Sequence, residues 1–537
     1  MNAFAARAAD GRAVLARARE RADALSVPAT VVALTLVVVV SLLLRTTALH
    51  ARYWIDEGLS VGIAQHPLDD IPRLLHQDGS PPLYYLLLAV WIRIAGYGEA
   101  DTHVLSVAFA LACVPVAYAA ARALFGIAAG WWATALAATS PFLTFYAQET
   151  RMYTLIALLS LTAAATGALA FVQRRRAWAP VHAAVLVVLI YTHNWGLFLV
   201  GAGALALVVL AWWARGPERR ALVRDGALTY GAVALLYLPW VPTLFSQARR
   251  TGAPWAERPS VDAAFDGVGS VLGGPAPAYT LLCVCLAGAG TLLARDRLGA
   301  GADRALGPGP RTRALAYLAT TALAGLVFAW LASQASPAWA TRYLSVFLGP
   351  LLLLIAACLA RAGRLALVAL LVLALFWIDP RTSDIETKSN AHTTAVLVRD
   401  RLEPGDLVVA THPEQGPLMR LYLGPGLRWA NAMGPVRDPR IMDWRNALER
   451  LQKNRPKATS DALVSTLAPG QHLLLVQPII RGSRWGAPWT ELVRRRAAQW
   501  ERRLDGNPRL VRVLAAPHFN DRRPPRGVRA VLYEAVP

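Results

Sequence analysis

The segment after the first apolar stretch concentrates ionisable side chains. Asp56 and Glu57 lie at one end, and His76 and Asp78 lie at the other, among tryptophan and tyrosine residues. Aromatic rings favour the membrane–water interface, and carboxylates close to hydrocarbon are costly, which marks them as functional candidates. A carboxylate held there can act as a general base that removes a proton from a hydroxyl group. A structural role remains open, with Asp56 as a helix N-cap and Glu57 near the positive helix terminus.

Candidate phosphate-binding groups occur in three later segments. Arg151 closes the sequence Gln-Glu-Thr-Arg, Arg342 is flanked by aromatic residues, and His193 precedes Asn194 and Trp195. Arginine binds phosphate through paired hydrogen bonds and stabilises charge that develops on a departing phosphate. The alternatives are an ion pair between Glu149 and Arg151, an Arg342 side chain that reaches to the interface, and a structural histidine.

Composition indicates a membrane protein and excludes an ordinary soluble enzyme. Hydrophobic residues make up 55% of the 537 residues, the mean hydropathy is +0.38, and several stretches reach the ~20 apolar residues of a spanning helix. The net charge of +21 comes mostly from arginines between apolar stretches, as the positive-inside rule predicts, and does not indicate nucleic-acid binding. The four cysteines lie in apolar stretches and indicate neither a disulfide framework nor a metal site.

The hydrophobic stretches predict twelve candidate spans, at 27–44, 83–96, 101–122, 126–142, 152–172, 177–192, 195–213, 226–245, 270–294, 313–333, 340–360 and 364–379. All arginine-rich connections fall on the same side as the N-terminus only if 83–96 does not span. That stretch is short, aromatic and followed by Arg93, which is typical of an interfacial helix. We therefore predict eleven spans, a cytoplasmic N-terminus and an outer C-terminus. The candidate residues above then share the outer face.

Three regions are predicted along the chain. Residues 1–26 form a basic cytoplasmic segment, residues 27–379 form the transmembrane catalytic domain, and residues 380–537 form an extracytoplasmic α/β domain. In the last region, strands at 407–410, 473–476 and 529–533 and helices at 390–402 and 490–504 predict a partly parallel sheet. No glycine-rich nucleotide fingerprint follows a strand, so binding the acceptor or capping the cavity are the predicted roles. Residues 299–310 are predicted to be a cytoplasmic linker.

The ordered motifs resemble a known family. They are Trp-Ile-Asp-Glu at 54–57, Asp-Gly-Ser-Pro-Pro-Leu-Tyr-Tyr at 78–85, Gln-Glu-Thr-Arg-Met-Tyr at 148–153 and Arg-Tyr at 342–343. The set is similar to the bacterial branch of the protein-mannosyltransferase and aminoarabinose-transferase superfamily, glycosyltransferase family 39, over roughly residues 28–379. This resemblance implies an α-helical polytopic membrane protein of the GT-C fold.

The resemblance also implies a chemistry. Its members use polyprenyl-phosphate sugars on the outer membrane face, and their catalytic acidic residue matches Asp56. The aminoarabinose-transferase branch has a lysine where this chain has Ser80, so phosphate binding by that lysine does not carry over, and Arg151 and Arg342 become the better candidates. Some relatives use a divalent cation. Asp56, Glu57 and Asp78 offer oxygen ligands for Mg²⁺ or Mn²⁺, with the cofactor otherwise left open.

We therefore predict an inverting glycosyltransferase of the plasma (inner) membrane. It transfers a hexose such as mannose, or a pentose, from polyprenyl phosphate to a glycan, lipid or protein of the cell envelope, and it binds no nucleic acid. Asp56 and Glu57 are the predicted catalytic residues, and His76, Asp78 and Tyr84 bind acceptor or support them. The predicted donor and phosphate ligands are Tyr146, Gln148, Glu149, Arg151, His193, Arg342 and Tyr343. The alternatives are a transporter or flippase of lipid-linked sugars and a non-catalytic envelope scaffold, in which Asp56 is dispensable.

Overall fold

A computed structural model describes residues 27–299, 308–377, 382–480, 487–517 and 526–537. The predicted segments 1–26 and most of 299–310 lie outside these ranges. The helices up to residue 377 are α1 Val27–Leu44, α2 Ile55–Ala64, α3 Ile71–Asp78, α4 Leu83–Ala95, α5 Glu99–Phe125, α6 Ile127–Thr139, α7 Pro141–Ala147, α8 Tyr153–Gly167, α9 Trp178–Thr192, α10 Gly196–Trp213, α11 Gly216–Tyr237, α12 Val241–Arg250, α13 Val261–Val271, α14 Pro275–Gly299, α15 Pro310–Ala335, α16 Ser345–Leu359 and α17 Arg364–Trp377. A π-helical turn at Ala168–Val172 extends α8, and 3₁₀ turns lie at Leu238–Trp240 and Thr341–Leu344.

The described chain contains nine helices that are long and apolar enough to cross a membrane. They coincide with nine of the eleven predicted spans. The other two predicted spans correspond to α6 and α9, helices of 13 and 15 residues. Helix α4 also has 13 residues and so extends ~20 Å, less than the ~30 Å hydrocarbon core. Length alone does not distinguish α4 from α6, so the interfacial position of α4 stays a prediction. The chain is a mostly helical membrane protein.

The bundle has a lipid-facing periphery and a packed centre. Helix α1 is apolar on all sides and leaves Val31 and Leu36 exposed, as expected of a helix against lipid. Helices α8 and α16 are largely buried and lie against each other. A Cβ on Gly349 would lie 2.2 Å from the Leu161 backbone nitrogen. The small residue therefore allows the two backbones to approach closely, which is how membrane helices gain packing energy.

The C-terminal region is an α/β domain with a six-stranded sheet. Its strands are β1 Leu407–Ala410, β2 Arg428–Asn431, β3 Gly434–Pro435, β4 His472–Ile480, β5 Leu510–Ala516 and β6 Arg526–Ala535, in the order β3-β2-β1-β4-β6-β5. Strand β1 pairs in parallel with β2 and β4, while the other pairs are antiparallel. Its helices are α18 Thr382–Glu386, α19 Ala391–Arg399, α20 Gln415–Leu423, α21 Ala447–Lys453, α22 Pro456–Val464 and α23 Pro488–Asp505. The partly parallel sheet, the three predicted strands and both predicted helices are confirmed.

Helix α2 is part of the membrane domain and also packs against the α/β domain. Tyr53 and Val61 pack into the hydrophobic core between the sheet and the helices α19 and α20. A Cβ on Gly58 would lie 2.6 Å from the Leu418 Cα, and a Cβ on Gly62 would lie 2.1 Å from the Arg440 carbonyl oxygen. The two glycines thus allow the C-terminal domain to dock directly on the helix that carries Asp56 and Glu57.

Candidate active site at the junction of the two domains

The first turn of α2 presents its two carboxylates in different directions. The helix begins at Ile55 after the N-cap residue Trp54, so Asp56 is not the N-cap. The Glu57 Oε2 atom accepts a hydrogen bond of 3.1 Å from the Trp54 backbone N–H. Glu57 therefore stabilises the start of the helix, while the Asp56 side chain, 16% exposed, keeps access to its surroundings.

Glu57 is the centre of a fully buried ionic cluster. Its Oε2 atom lies 2.7 Å from the Lys388 Nζ atom, and its Oε1 atom lies 2.7 Å from the His103 Nε2 atom. Oε1 also accepts a 2.8 Å bond from the Thr150 backbone N–H. Burial alone would raise the pKa of Glu57, but the charges of Lys388 and His103 and their hydrogen bonds lower it to about 2. Both carboxylate oxygens are engaged, so this ionised group is placed to hold three chain segments together.

Helix α5 fixes the same loop from a second side. The Thr102 and Thr150 hydroxyls are 2.6 Å apart, and the Ser106 hydroxyl donates a 2.7 Å bond to the Glu149 carbonyl. The Lys388 ammonium donates to the Gln148 carbonyl at 3.1 Å. The backbone of residues 148–150 is therefore held by α5, α2 and the segment after the last membrane helix.

Arg342 faces Asp56 from the 3₁₀ turn before α16. One guanidinium nitrogen lies 3.6 Å from the Asp56 Oδ2 atom. The guanidinium carbon lies 5.1 Å from the ring centre of Trp255, 5.3 Å from that of Tyr343 and 5.9 Å from that of Trp54. Cation–π contacts of this kind hold a guanidinium group while its edge stays free to donate. Its Nε atom is buried and makes no hydrogen bond to the described residues.

Arg151 lies on the other side of Asp56. Its Nη1 atom donates to the Ser60 hydroxyl at 2.7 Å and to the Asp56 carbonyl at 3.2 Å, and its Nη2 atom donates to the Tyr153 hydroxyl at 3.4 Å. The expected alternative, an ion pair with Glu149, is not formed between these two described side chains. The Arg151 Nε atom has no hydrogen-bond partner among the described residues. The helix α2 and the loop after α7 thus orient a second cation at the site.

The predicted donor ligands in the loop before Arg151 differ in accessibility. The Gln148 side chain is fully buried and accepts a 2.6 Å bond from the Ala48 backbone N–H, so it anchors a neighbouring loop. Tyr146 is half-buried and packs edge-on against Tyr153. The Glu149 Oε2 atom is buried without a hydrogen-bond partner among the described residues. Burial raises the pKa of Glu149 to about 8, so this carboxyl is largely protonated at neutral pH.

His193 and Tyr343 complete the wall beside the two arginines. Their ring centres are 4.7 Å apart, and the His193 Nδ1 atom accepts a 3.1 Å bond from the Trp195 backbone N–H. Burial and the charges of Arg151 and Arg342 lower the pKa of His193 to about 3. The imidazole is therefore neutral, and the bond to Nδ1 places its proton on Nε2.

The predicted acceptor residues are only partly gathered here. The partly buried Asp78 accepts a 3.4 Å bond from the Tyr85 hydroxyl, and burial raises the pKa of its carboxyl above the ordinary value. Tyr84 is fully buried, and its hydroxyl has no partner among the described residues. His76 instead lies 3.0 Å from the Thr243 hydroxyl and packs near Trp240, because it points from α3 towards α12. The structure gives His76 a packing contact away from Asp56.

The cation predicted on Asp56, Glu57 and Asp78 does not fit the arrangement. Within the described ranges, no three His, Cys, Asp or Glu side chains lie together in a way that could hold a metal ion. Both Glu57 oxygens are also occupied by nitrogen donors at 2.7 to 3.1 Å. The chemistry proposed below therefore uses protein side chains alone.

Sequence reasoning missed the two partners of Glu57. Lys388 follows the last membrane helix, and His103 lies near the start of α5. A signal for Lys388 existed, because lysine accounts for only 3 of the 55 basic residues in this arginine-rich chain. A histidine inside an apolar stretch is likewise costly and marks a candidate position.

Comparison with solved structures identifies the fold. ArnT from Cupriavidus metallidurans matches in its apo state with a TM-score of 0.56 and in complex with undecaprenyl phosphate with a TM-score of 0.58, both at 15% identity. The matches cover 83% and 84% of this chain and 93% of ArnT. The archaeal oligosaccharyltransferase AglB from Archaeoglobus fulgidus, in complex with an inhibitory peptide and a dolichol-phosphate, matches with a TM-score of 0.54 at 12% identity over 82% of this chain and 68% of AglB.

The arabinofuranosyltransferase AftD from Mycobacteria matches over 96% of this chain and 40% of its own length, with a TM-score of 0.52 and 16% identity. No family model matches the sequence. No curated protein matches it either. The neighbours are GT-C fold glycosyltransferases, so the expected GT-C fold is confirmed.

Proposed function

We propose that this GT-C chain is a membrane glycosyltransferase that moves a sugar from a polyprenyl phosphate to an acceptor of the cell envelope. The observation that carries the proposal is the carboxylate Asp56 between two arginines, Arg151 and Arg342, beside the neutral His193. Two of the structural neighbours were solved with undecaprenyl phosphate or dolichol-phosphate. The donor class is inferred from this likeness together with the charge of the site.

The charge balance supports a phosphate ligand. Glu57 is shared between Lys388 and His103, and Glu149 is largely protonated at neutral pH, so neither carboxyl adds free negative charge near Asp56. Asp56 offsets only one of the two arginines that flank it, which favours an incoming phosphate. The free edge of Arg342 and the Nε2–H of His193 are suitable donors to phosphate oxygens.

Asp56 is the proposed general base. Its carboxylate takes the proton from the acceptor hydroxyl while that oxygen bonds to the anomeric carbon of the donor sugar. The bond from the anomeric carbon to the phosphate oxygen breaks, and its electron pair leaves with the polyprenyl phosphate. Arg342 and Arg151 stabilise the charge on that phosphate. Attack from the side opposite the leaving group inverts the anomeric configuration.

Glu57 acts as a positioning residue in this proposal. Its bonds to Trp54, Thr150 and Lys388 set the first turn of α2 against the loop that carries Arg151. The base and the phosphate ligands are thereby held in one geometry before substrate binds, which is a requirement for efficient electrostatic catalysis. The acceptor is a glycan, lipid or protein, approached from the side where the α/β domain docks.

The same proposal assigns the parts of the chain to the two faces of the membrane. We place the site and the C-terminal domain on the outer face of the plasma membrane and the N-terminus in the cytoplasm. The arginine-rich connections then all face the cytoplasm, in agreement with the positive-inside rule. A hexose such as mannose, or a pentose, is the proposed donor sugar.

The test is transfer by purified, reconstituted protein. A panel of radiolabelled polyprenyl-phosphate hexoses and pentoses is supplied with an envelope extract as acceptor, and wild type is compared with Asp56→Asn. We expect transfer from one donor, loss of transfer in the variant and retained donor binding. Product analysis by NMR reports the anomeric configuration.

Two results would overturn the proposal. Transfer by Asp56→Asn at the wild-type rate removes the proposed base. Movement of lipid-linked sugar across the bilayer without any transfer identifies a transporter instead. Gln452→Leu, a substitution at an exposed residue of α21, controls for handling losses.

A further inference from the structure

A proline breaks the membrane segment that leads into the loop of residues 148–151. Helix α6 ends at Thr139, and after Ser140 the chain continues as the seven-residue helix α7, which runs directly into Gln148. A proline nitrogen has no hydrogen to donate, so Pro141 leaves the carbonyl of Ala137, four residues earlier, without its helical partner. An unpaired carbonyl in apolar surroundings is costly, and a donor from another helix is therefore needed.

The donor is Arg45, the residue that follows helix α1. Its Nη2 atom donates to the Ala137 carbonyl at 2.5 Å, and its Nη1 atom donates to the Ala110 carbonyl of α5 at 3.0 Å. The Ser41 hydroxyl of α1 donates to the Ala138 carbonyl at 3.1 Å. The last carbonyls of a helix have no partner within it, and a cation is favoured beside them. Arg45 and Ser41 thus supply the donors that the end of α6 lacks.

The burial of Arg45 is unusual for an arginine at the end of a membrane helix. Its side chain is fully buried and points back along α1, where Nη1 also donates to the Ser41 hydroxyl one turn earlier. An arginine at such a position normally extends to the interface, where its charge stays in water. The hydrogen bonds of Arg45 to described residues go to carbonyl and hydroxyl oxygens rather than to a carboxylate. A charge kept there against this cost indicates a functional role.

The broken segment carries the loop of the proposed phosphate ligand Arg151. Three residues after Arg45, the Ala48 backbone N–H donates a 2.6 Å bond to the Gln148 side chain, where that loop begins. The bond from Arg45 to α5 lies one turn from Ser106, which donates to the same loop. Arg45 therefore joins the three helices, α1, α5 and α6, that set the start and the direction of this loop.

The length of α7 turns a small change at the break into a larger one at the site. Seven helical residues extend ~10 Å, so a tilt of about 20° at Ser140 would move the far end of α7 by ~3–4 Å. A misplacement of ~1 Å can lower a rate by about 10²-fold. The bonds from Arg45 to the last turn of α6 restrict this tilt.

We propose that Arg45 is a positioning residue for the phosphate-binding loop. By pairing the carbonyl that Pro141 leaves free, it fixes the angle between α6 and α7 and thereby the place of Arg151. The inference rests on the proposed function in one respect, the role of Arg151 as a phosphate ligand. Arg45 itself is fully buried and does not reach the substrate. Binding of the phosphate does not require transfer, so the two claims can fail separately.

The experiment measures binding of undecaprenyl phosphate to the full chain in detergent, with undecaprenol as the probe that lacks the phosphate. Arg45→Met removes both carbonyl contacts, Arg45→Lys keeps the charge without the forked donors, and Ser41→Ala removes the neighbouring hydroxyl. Thr134→Val is the control, because this buried α6 hydroxyl bonds to the Gly130 carbonyl of its own helix. Each variant is also combined with Arg151→Met, and thermal unfolding is followed in parallel.

We expect undecaprenyl phosphate to bind about tenfold more weakly to Arg45→Met, with a smaller loss in Arg45→Lys and in Ser41→Ala and no loss in Thr134→Val. Binding of undecaprenol should stay within about twofold of wild type in all of them, because the phosphate contacts alone are affected. Since Arg45 acts through Arg151, the double variant should bind undecaprenyl phosphate no more weakly than Arg151→Met alone.

Three results would overturn the proposal. Wild-type binding in folded Arg45 variants that unfold at a lower temperature would leave Arg45 a structural role only. Losses that add in the double variants would show that Arg45 does not act through Arg151. A wild type that binds no undecaprenyl phosphate would remove this proposal together with the proposed function. If Arg45→Met does not fold, Arg45→Lys and Ser41→Ala decide the comparison. If no sugar is transferred but the losses do not add, the transferase function fails and the positioning role stands.

Discussion

Ionic clusters lie at both ends of the membrane helices, and they differ in the solvent exposure of their basic residues. At the end beside the α/β domain, Glu57 is fully buried and its partners His103 and Lys388 are at most 7% exposed. At the other end, Asp225 is paired with Arg174, Arg176 and Arg224, at 2.9 to 3.1 Å, and the last two are 57% and 59% exposed. A run of 20 residues in α8 and its extension separates the two ends by ~30 Å.

The difference shows which charges are placed for chemistry. Arg176 and Arg224 keep most of their water although Asp225 itself is only 10% exposed, so each of these two pairings contributes little and suits a contact with lipid headgroups. Charges near Asp56 lie in a site closed by aromatic rings and by the docked domain, where each electrostatic interaction is stronger. Substitutions of matched residues in the two clusters should therefore have different effects.

Loss of the buried ion pair should have the largest effect. Lys388→Met removes the ammonium group from the buried Glu57 carboxylate and leaves it with His103, and we expect the free energy of unfolding to fall by about 3–5 kcal/mol. Arg224→Met removes an exposed cation from Asp225 and should cost about 1 kcal/mol or less. Thermal unfolding in detergent measures both. Equal losses in the two variants would show that burial does not distinguish the clusters.

Removal of the proposed phosphate ligand should impair turnover without unfolding the protein. Arg342→Met is expected to lower kcat/KM for the donor by about 10²–10³-fold, because the departing phosphate loses a charged hydrogen-bond donor. Arg176→Met, at the opposite end, should leave kcat/KM within about twofold. Steady-state transfer measures the ratio. Wild-type kcat/KM in Arg342→Met would remove this arginine from the site.

A side chain at position 62 should weaken the docking of the α/β domain on α2. Gly62→Ala places a Cβ against the Arg440 carbonyl, and we expect a loss of about 1–3 kcal/mol and weaker acceptor binding. Gly231→Ala is the control, since its Cβ would meet no atom within 4 Å. Chemical or thermal unfolding of both variants checks this. A neutral Gly62→Ala would contradict the direct contact between the domains.

The last predicted effect is gradual rather than a single loss: a pH dependence of stability due to Glu149. Its pKa is about 8 in the folded protein and 4.5 as a model value, so between these values only the folded form keeps the proton. The contribution of Glu149 to the free energy of unfolding is therefore fully present below pH 4.5 and falls as the pH rises to about 8. The stability difference between wild type and Glu149→Gln should follow this slope. A flat difference from pH 5 to 8 would mean that Glu149 is ionised in the folded state.

The grouping of four site residues at one end of the membrane helices was predictable because it depends on local patterns. Apolar length and arginine placement set the spans, and the parity of the spans placed Asp56, Arg151, His193 and Arg342 on one face. The structure brings these four residues together. The parallel part of the sheet was also predictable, because short apolar strands alternated with helices.

The remaining contacts depend on distant segments that no local pattern encodes. Lys388 reaches Glu57 across 331 positions, and His66 meets Asp438 across 372. The contact between α2 and the α/β domain depends on Gly58 and Gly62. Their packing role appears only in the folded structure, where Gly58 lies against Leu418 and Gly62 lies against Arg440. The contact of His76 with Thr243 also depends on a distant segment, since the two residues are 167 positions apart.

The most direct test of the account compares single-turnover transfer in Asp56→Asn and Asp225→Asn. Each protein is preloaded with the active polyprenyl-phosphate sugar, mixed with acceptor and quenched over time, so that donor binding does not limit the rate. We predict a fall of at least about 10²-fold for Asp56→Asn, as expected for loss of a general base, and a wild-type rate for Asp225→Asn. Equal rates in wild type and Asp56→Asn would contradict the assignment of this site as the centre of glycosyl transfer.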